Sequence, residues 1–292
     1  MAKNQPRVFI IGTGLSSHLS SLPLTTLSIL SRADVILHDA LSLSIDEIKL
    51  IVPSTCQIIN VGKRGDSAKS WKQQDIDELL LQYALEKGKE ESSVPKYNTI
   101  VRLKGGDPFL FGRTYTEINA LSSNSIPYHV TFGLSSCVAG VHMAGIPLTD
   151  AATSCQSFAV FSGTNALGKG LGDDTDENEM NWEMDVGGVD TLVFLMIGRL
   201  DKLRNLCQTL ISSSSSKETK NKKWDRETPC AIVQNSGRDN QRVWRSTLDQ
   251  IVDDIQSDLS QTKTNAEDNA VLSVSPAIFV VGPTTRLNLL DE

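Results

Sequence analysis

The feature that most constrains this chain is an alternation along its N-terminal half. Short apolar runs at 8–11, 34–37, 57–61, 99–103 and 128–131 take turns with amphipathic stretches at 22–31, 45–50, 73–87 and 114–122. Strands alternating with helices imply a mostly parallel sheet covered by helices. Within 73–87 the apolar residues Ile76, Leu79, Leu80 and Tyr83 recur at helical spacing, which predicts one buried face, and Gly88 marks the stop.

After Gly133 the pattern changes. Strand-like runs at 157–161, 191–197, 230–234, 242–245 and 277–281 are separated by longer, irregular connections, which read as a second α/β domain with a mixed sheet. At roughly 150 residues per domain, a chain of 292 residues suits this division, with an N-terminal domain over 1–133 and a C-terminal domain over 134–292. The acidic stretch 168–185 and the polar stretch 212–226, which opens with a run of serines, are expected to be surface loop insertions. The polar run 258–269 is expected to be a third.

Composition narrows the function classes. With 39% hydrophobic and 22% charged residues the chain is an ordinary globular one, and its net charge of −7 has the wrong sign for a general nucleic-acid binder. A locally basic pocket is compatible with that average. The five cysteines include no C-x-x-C pair and the four histidines no H-x-x-x-H, so neither structural zinc, any other metal, nor a disulfide framework is expected. No apolar run approaches the ~20 residues that span a bilayer. Residues 1–7 are too short and polar for a targeting peptide, and scattered reduced thiols suit a reducing compartment, so the expected location is the cytoplasm, or an organelle only if a targeting segment has been removed.

Two glycine-bearing turns follow predicted strands. Gly12-Thr13-Gly14 begins like a dinucleotide-binding turn, but Ser17 stands where G-x-G-x-x-G needs its third glycine, and alone it reads as a tight turn. The run 101–113 says more: a buried strand leads into Gly105-Gly106, then Asp107, Pro108 and the aromatics Phe109 and Phe111. Paired glycines let backbone approach a ligand, and loops leaving the carboxyl ends of parallel strands are where open α/β sheets bind. Asp107 suits an ammonium contact or a helix cap.

This run resembles the V-R-L-K-G-G-D-P-F-x-F-G-R block of the uroporphyrinogen-III C-methyltransferases, in the tetrapyrrole methylase superfamily. Further similar blocks follow in family order: Ala33-Asp34-Val35 with Asp39, Val61-Gly62-Lys63-Arg64, Ala144-Gly145-Ile146-Pro147-Leu148-Thr149, Thr191-Leu192-Val193-Phe194 with Met196, and Ser275-Pro276-Ala277 with Val281-Gly282. The resemblance implies two α/β domains with S-adenosylmethionine bound between them, usually in a homodimer. It implies methylation of uroporphyrinogen III at C2 and then C7 to give precorrin-2, on the branch toward sirohaem and cobalamin. Carried over by position, Gly105, Gly106, Asp107, Leu110, Ser135, Ser136, Met196 and Ser236 line the methyl-donor pocket, with Asp39 as proton acceptor and Lys63 as proton donor.

Elementary chemistry agrees with these roles, because in-line methyl transfer asks a protein to position two partners and exclude water. A carboxylate at a strand end is placed to take a proton after attack. A polycarboxylate substrate calls for a basic rim, for which Lys63, Arg64, Arg113, Arg238 and Arg242 are candidates. Each assignment has a plainer alternative. Asp39 equally reads as a helix cap, Lys63 and Arg64 as a solvated strand end, Ser135 and Ser136 as N-caps, Met196 as core, and Asn235-Ser236-Gly237 as a turn.

The chain also departs from the family pattern. Leu15-Ser16-Ser17 replaces Pro-Gly-Asp in the first loop, His38 and Ala40 replace the tyrosine and arginine flanking Asp39, Phe132 replaces a proline, Asp150-Ala151 a basic pair, and Leu195 an aromatic residue. Several of these fall where substrate carboxylates would be gripped. Two other readings therefore stand beside the leading one: a sister methylase with another acceptor, and a binding or regulatory protein on a degraded fold. A serine hydrolase is disfavoured by the lack of a G-x-S-x-G elbow.

Overall fold

The computed structural model describes residues 7–15, 19, 22–62, 71–87, 95–163, 188–213, 224–262 and 273–290. The chain divides into two compact units, Met1–Ser135 and Ser136–Glu292. The division falls two residues beyond the pattern change at Gly133.

The first unit holds β1 (Arg7–Gly12), α1 (Leu24–Leu30), β2 (Val35–His38), α2 (Ile45–Lys49), β3 (Gln57–Asn60), α3 (Gln73–Leu85), β4 (Thr99–Lys104), α4 (Thr114–Ser123) and β5 (Tyr128–Thr131). Its five strands lie in the order β3-β2-β4-β1-β5, with parallel pairing throughout. Helices cover both faces because the strands are apolar on both. Phe9, Ile11, Ile36, Val101 and Leu103 pack with Ile29, Leu30 and Ile48 of α1 and α2. The alternate residues Val8, Ile10, Val35, Leu37 and Ile100 pack with Ile76, Leu80 and Leu121 of α3 and α4.

Local signals place the helix ends. Ser44 caps α2 by accepting from the Glu47 amide at 3.2 Å, with Asp46 and Glu47 in the first turn and Lys49 in the last, as the helix dipole favours. In α3 the expected face is the buried one, but the helix ends at Leu85, with Glu86 already in extended backbone. Gly88 lies outside the described residues.

The second unit holds β6 (Phe158–Ser162), β7 (Thr191–Leu195), α5 (Leu200–Ser213), β8 (Pro229–Gln234), β9 (Arg242–Thr247), α6 (Ile251–Thr262) and β10 (Ala277–Val281). The sheet order is β6-β7-β10-β8-β9, parallel only between β6 and β7, so it is mixed. One face packs Leu192, Phe194, Ile232 and Phe279 against Leu203, Leu206, Leu210, Ile251 and Ile255 of α5 and α6.

Those two helices correct the expectation of irregular connections. Leu200, Leu203, Leu206 and Leu210 recur at helical spacing, as do Ile251, Ile255 and Leu259, and each row faces the sheet. The expected insertions shrink accordingly. Ser212 and Ser213 close α5, residues 258–262 belong to α6, and Trp224 is buried in the core. The stretch 168–185, and the parts 214–223 and 263–269 of the others, lie outside the described residues.

Both units use one device to set strand register. An aspartate just before a strand accepts two amides from the start of its neighbour. Asp34 takes Asn98 and Thr99 at 2.7 and 2.9 Å, and Asp190 takes Gln156 and Ser157 at 2.9 and 3.0 Å. Among the described residues no helix is long and apolar enough to cross a membrane, no group of side chains is arranged to hold a metal, and all five cysteines are free thiols.

Candidate active site

Parallel pairing brings every carboxyl end of the first sheet to one edge. There β4 lies between β1 and β2, whose chains leave toward α1 and α2 on one face, while β4 leads toward α4 on the other. Adjacent strands whose loops part to opposite faces open a crevice at that edge. The loop entering it from β4 is 105–110.

That loop is welded to two others backbone to backbone. Gly14 and Gly106 exchange amide hydrogen bonds of 3.2 and 2.8 Å, and the Thr13 amide donates to the Lys104 carbonyl at 2.9 Å. A Cβ at Gly12 would stand 2.5 Å from the Gly133 nitrogen and 2.7 Å from the Gly106 oxygen, and one at Gly133 would overlap that same oxygen. No side chain fits in this three-way contact. Gly106 needs its glycine for a different reason: its φ is +69°, and nothing lies within 4 Å of where a Cβ would point. Its N–H and C=O both pair with Gly14, while the side where a Cβ would point is unobstructed. A recess of about 320 Å³ lies alongside, lined by Gly12, Thr13, Gly14, Leu22, Pro23, Phe132, Gly133 and Leu134.

Asp107 braces this assembly. Its Oδ1 accepts from the Phe109 amide at 2.8 Å and its Oδ2 from the Gly133 amide at 3.2 Å, which ties the β4 loop to the β5 loop. It caps no helix, since α4 begins at Thr114 after Arg113. The Leu110 amide closes the turn onto the Asp107 carbonyl at 3.3 Å. Beyond it Phe111 and Arg113 hold left-handed backbone at φ 56° and 52°, and Phe109 and Phe111 are exposed. Left-handed residues other than glycine cost energy and gather at functional sites.

The sequence pattern does not announce a cluster of buried charge at the same edge. Arg102 and Lys104 alternate along β4 and project to the α3/α4 side. Arg102 bonds Asp39 Oδ1 through Nη2 at 2.6 Å and Glu117 Oε1 through Nε at 2.9 Å. Lys104 Nζ reaches the same Glu117 oxygen at 2.8 Å. Arg102 is 2% exposed and Glu117 fully buried. Burial disfavours the Arg102 cation, but the charges of Asp39 and Glu117 outweigh it and hold the guanidinium above its ordinary range. Lys104 is pushed down by burial and by the Arg102 charge, against the pull of Glu117. Asp39 therefore does not cap α2, a role that Ser44 fills. His38 beside it is held below the ordinary imidazole value by burial.

Ser135 ends the first unit. Ser136 opens a single π-helical turn, Ser136–Gly140, in the second. Met196 follows the buried strand β7, yet its backbone turns left-handed at φ 61° and the residue is 47% exposed, so it is not core. Ser236 is buried, and its hydroxyl donates to the Gly140 carbonyl at 2.9 Å, tying the turn after β8 to the π-helical turn. Lys63 and Arg64 lie outside the described residues. Arg242 does not join a free basic rim: it pairs with Asp258 at 2.7 Å and stacks on Trp244. Asp150 is occupied locally, accepting from the Thr153 amide at 3.0 Å.

The profile of the tetrapyrrole (corrin/porphyrin) methylases matches residues 7–252. A uroporphyrinogen-III C-methyltransferase of Methanocaldococcus jannaschii is 32% identical over 286 residues, 98% of this chain and 98% of that one. Another, of Synechococcus elongatus, is 30% identical over 282 residues, 96% of this chain and 94% of that one. The solved structure of the Thermus thermophilus uroporphyrin-III C-methyl transferase, complexed with S-adenyl homocysteine, shares the fold at a TM-score of 0.63 and 23% identity, over 96% of this chain and 99% of that one. The chain belongs to the tetrapyrrole methylase family.

Proposed function

We propose that the protein is an S-adenosylmethionine-dependent methyltransferase that methylates uroporphyrinogen III at C2 and C7 to give precorrin-2. One observation carries this reading: the welded loop 105–110, with its open glycine, stands on a chain that matches a methyltransferase of that name over 98% of its length.

The residues fit the donor. Gly106 offers an unobstructed side where a Cβ would point, and Met196 stands exposed on strained backbone, a conformation that needs a functional reason. In this reading Gly105, Gly106, Asp107, Leu110, Ser135, Ser136, Met196 and Ser236 hold S-adenosylmethionine, which supplies an electrophilic methyl group. Asp107 acts chiefly by bracing, since both its oxygens accept backbone amides. Asp39 accepts the proton that the macrocycle releases after methylation, and Lys63 donates one to the macrocycle and regains it from solvent, so that one proton net leaves per methyl transferred. Asp39 suits its role because its side chain is 29% exposed while Arg102 holds one of its oxygens. The same reading makes the protein a homodimer, and sedimentation equilibrium at the 31.8 kDa of one chain would count against it.

The test is to incubate the protein with S-adenosylmethionine and enzymatically generated uroporphyrinogen III, and to follow the mass and absorption of the product. A dimethylated tetrapyrrole is expected. Tight donor binding by calorimetry without any methylated tetrapyrrole would overturn the acceptor and leave a sister methylase. No donor binding would overturn the methyltransferase reading altogether.

A further inference from the structure

We infer that Arg102 is a positioning residue for methyl transfer: locked by Glu117, its guanidinium fixes the Asp39 carboxylate with one oxygen engaged and the other open. The inference rests on the reading of Asp39 as proton acceptor.

The guanidinium is held along three edges. Nε meets Glu117 at 2.9 Å, Nη1 meets the Leu103 carbonyl at 2.8 Å, and Nη2 is left to meet Asp39 Oδ1 at 2.6 Å. A planar fork pinned in this way dictates where its last partner sits, which a lysine ammonium cannot do. The Asp39 main chain is fixed separately, since its carbonyl accepts from the Ser42 hydroxyl at 2.7 Å and its amide donates to Leu103 at 3.2 Å. The carboxylate rotamer is thus the remaining freedom, and Arg102 removes it. Oδ2 makes no hydrogen bond among the described residues, and the side chain is 29% exposed, so one oxygen stays available. Arg102 and Glu117 are buried, so each acts through Asp39 and not on a substrate.

The test compares wild type with Arg102→Lys, Glu117→Gln, Asp39→Asn and the double variant Arg102→Lys/Asp39→Asn, using steady-state kinetics with uroporphyrinogen III and calorimetry with S-adenosylhomocysteine. Arg102→Lys should lower kcat about tenfold or more while KM and S-adenosylhomocysteine affinity stay within about twofold. The double variant should be no slower than Asp39→Asn alone. Glu117→Gln keeps the size and one acceptor oxygen, and it carries the same expectation should Arg102→Lys fail to fold. Wild-type kcat in both Arg102→Lys and Glu117→Gln, or a loss that adds in full to that of Asp39→Asn, would overturn the role of Arg102. A wild-type rate in Asp39→Asn would instead overturn the reading of Asp39.

Discussion

The two units build five-stranded sheets of similar size from opposite materials. In the second unit the buried polar residues among those described are uncharged: Ser162, Thr191, Thr228, Ser236, Thr284 and Thr285. Its sheet is held by volume, with Phe194, Phe279 and the α5 and α6 leucines filling one face. The first unit buries Arg102, Lys104 and Glu117 beneath the edge where its parallel strands end. Burying ions costs more than burying hydrocarbon, and the cost is recovered only when every partner is in place. The difference teaches that charge was placed where geometry matters and left out where packing suffices.

The sharpest way to break that comparison is to damage both cores equally. Phe279→Ala should lose about 3–5 kcal/mol by cavity formation, and Glu117→Ala a similar ~3–5 kcal/mol by leaving two buried cations without their carboxylate. Combining Arg102→Met, Lys104→Met and Glu117→Leu should restore much of the stability that Glu117→Ala loses, yet leave turnover low. If urea melts show the triple variant as unstable as Glu117→Ala, the cluster is a structural element after all.

A smaller effect is expected at the loop brace. Asp107→Ala frees the Phe109 and Gly133 amides and should cost about 1–3 kcal/mol, with weaker S-adenosylhomocysteine binding. Lys63→Ala should spare donor affinity and slow turnover. Equal donor affinity in wild type and Asp107→Ala would remove the loop from the donor site.

His38 gives the first unit a dependence on pH. Burial holds its imidazole below the ordinary value of 6.5, so below that value the unfolded chain takes up a proton that the folded chain refuses. Its contribution to stability is full above 6.5 and falls as the pH drops. Melts between neutral pH and about pH 5 should show a shallower fall in His38→Phe than in wild type. The smallest effect belongs to Arg242→Ala, whose half-exposed pair with Asp258 is worth about 1 kcal/mol or less. An unchanged KM for uroporphyrinogen III is expected there, and a raised KM would return Arg242 to the substrate rim.

Much of this was legible in one dimension. Strands alternating with amphipathic helices announced a mostly parallel sheet, and the Gly105-Gly106-Asp107 run announced a loop that approaches something closely. The helices α5 and α6 were legible too, through the spacing of Leu200, Leu203, Leu206 and Leu210, but polar runs beside them masked the period. Met196 reads as core in sequence because its strand is apolar. Only the left-handed turn at its own residue puts it outside.

By itself, then, the sequence determined the alternation, the sheet's direction and the glycine loop, since these follow from periodicity and from what a missing Cβ permits over a few residues. Tertiary structure alone decided that Gly12, Gly106 and Gly133 meet, and that Arg102 faces Asp39 and Glu117 instead of water. The reason is physical. A charge or a glycine carries no mark of its partner until strand register and helix packing bring distant residues within hydrogen-bond reach, and only then does burial make the choice of partner costly to change.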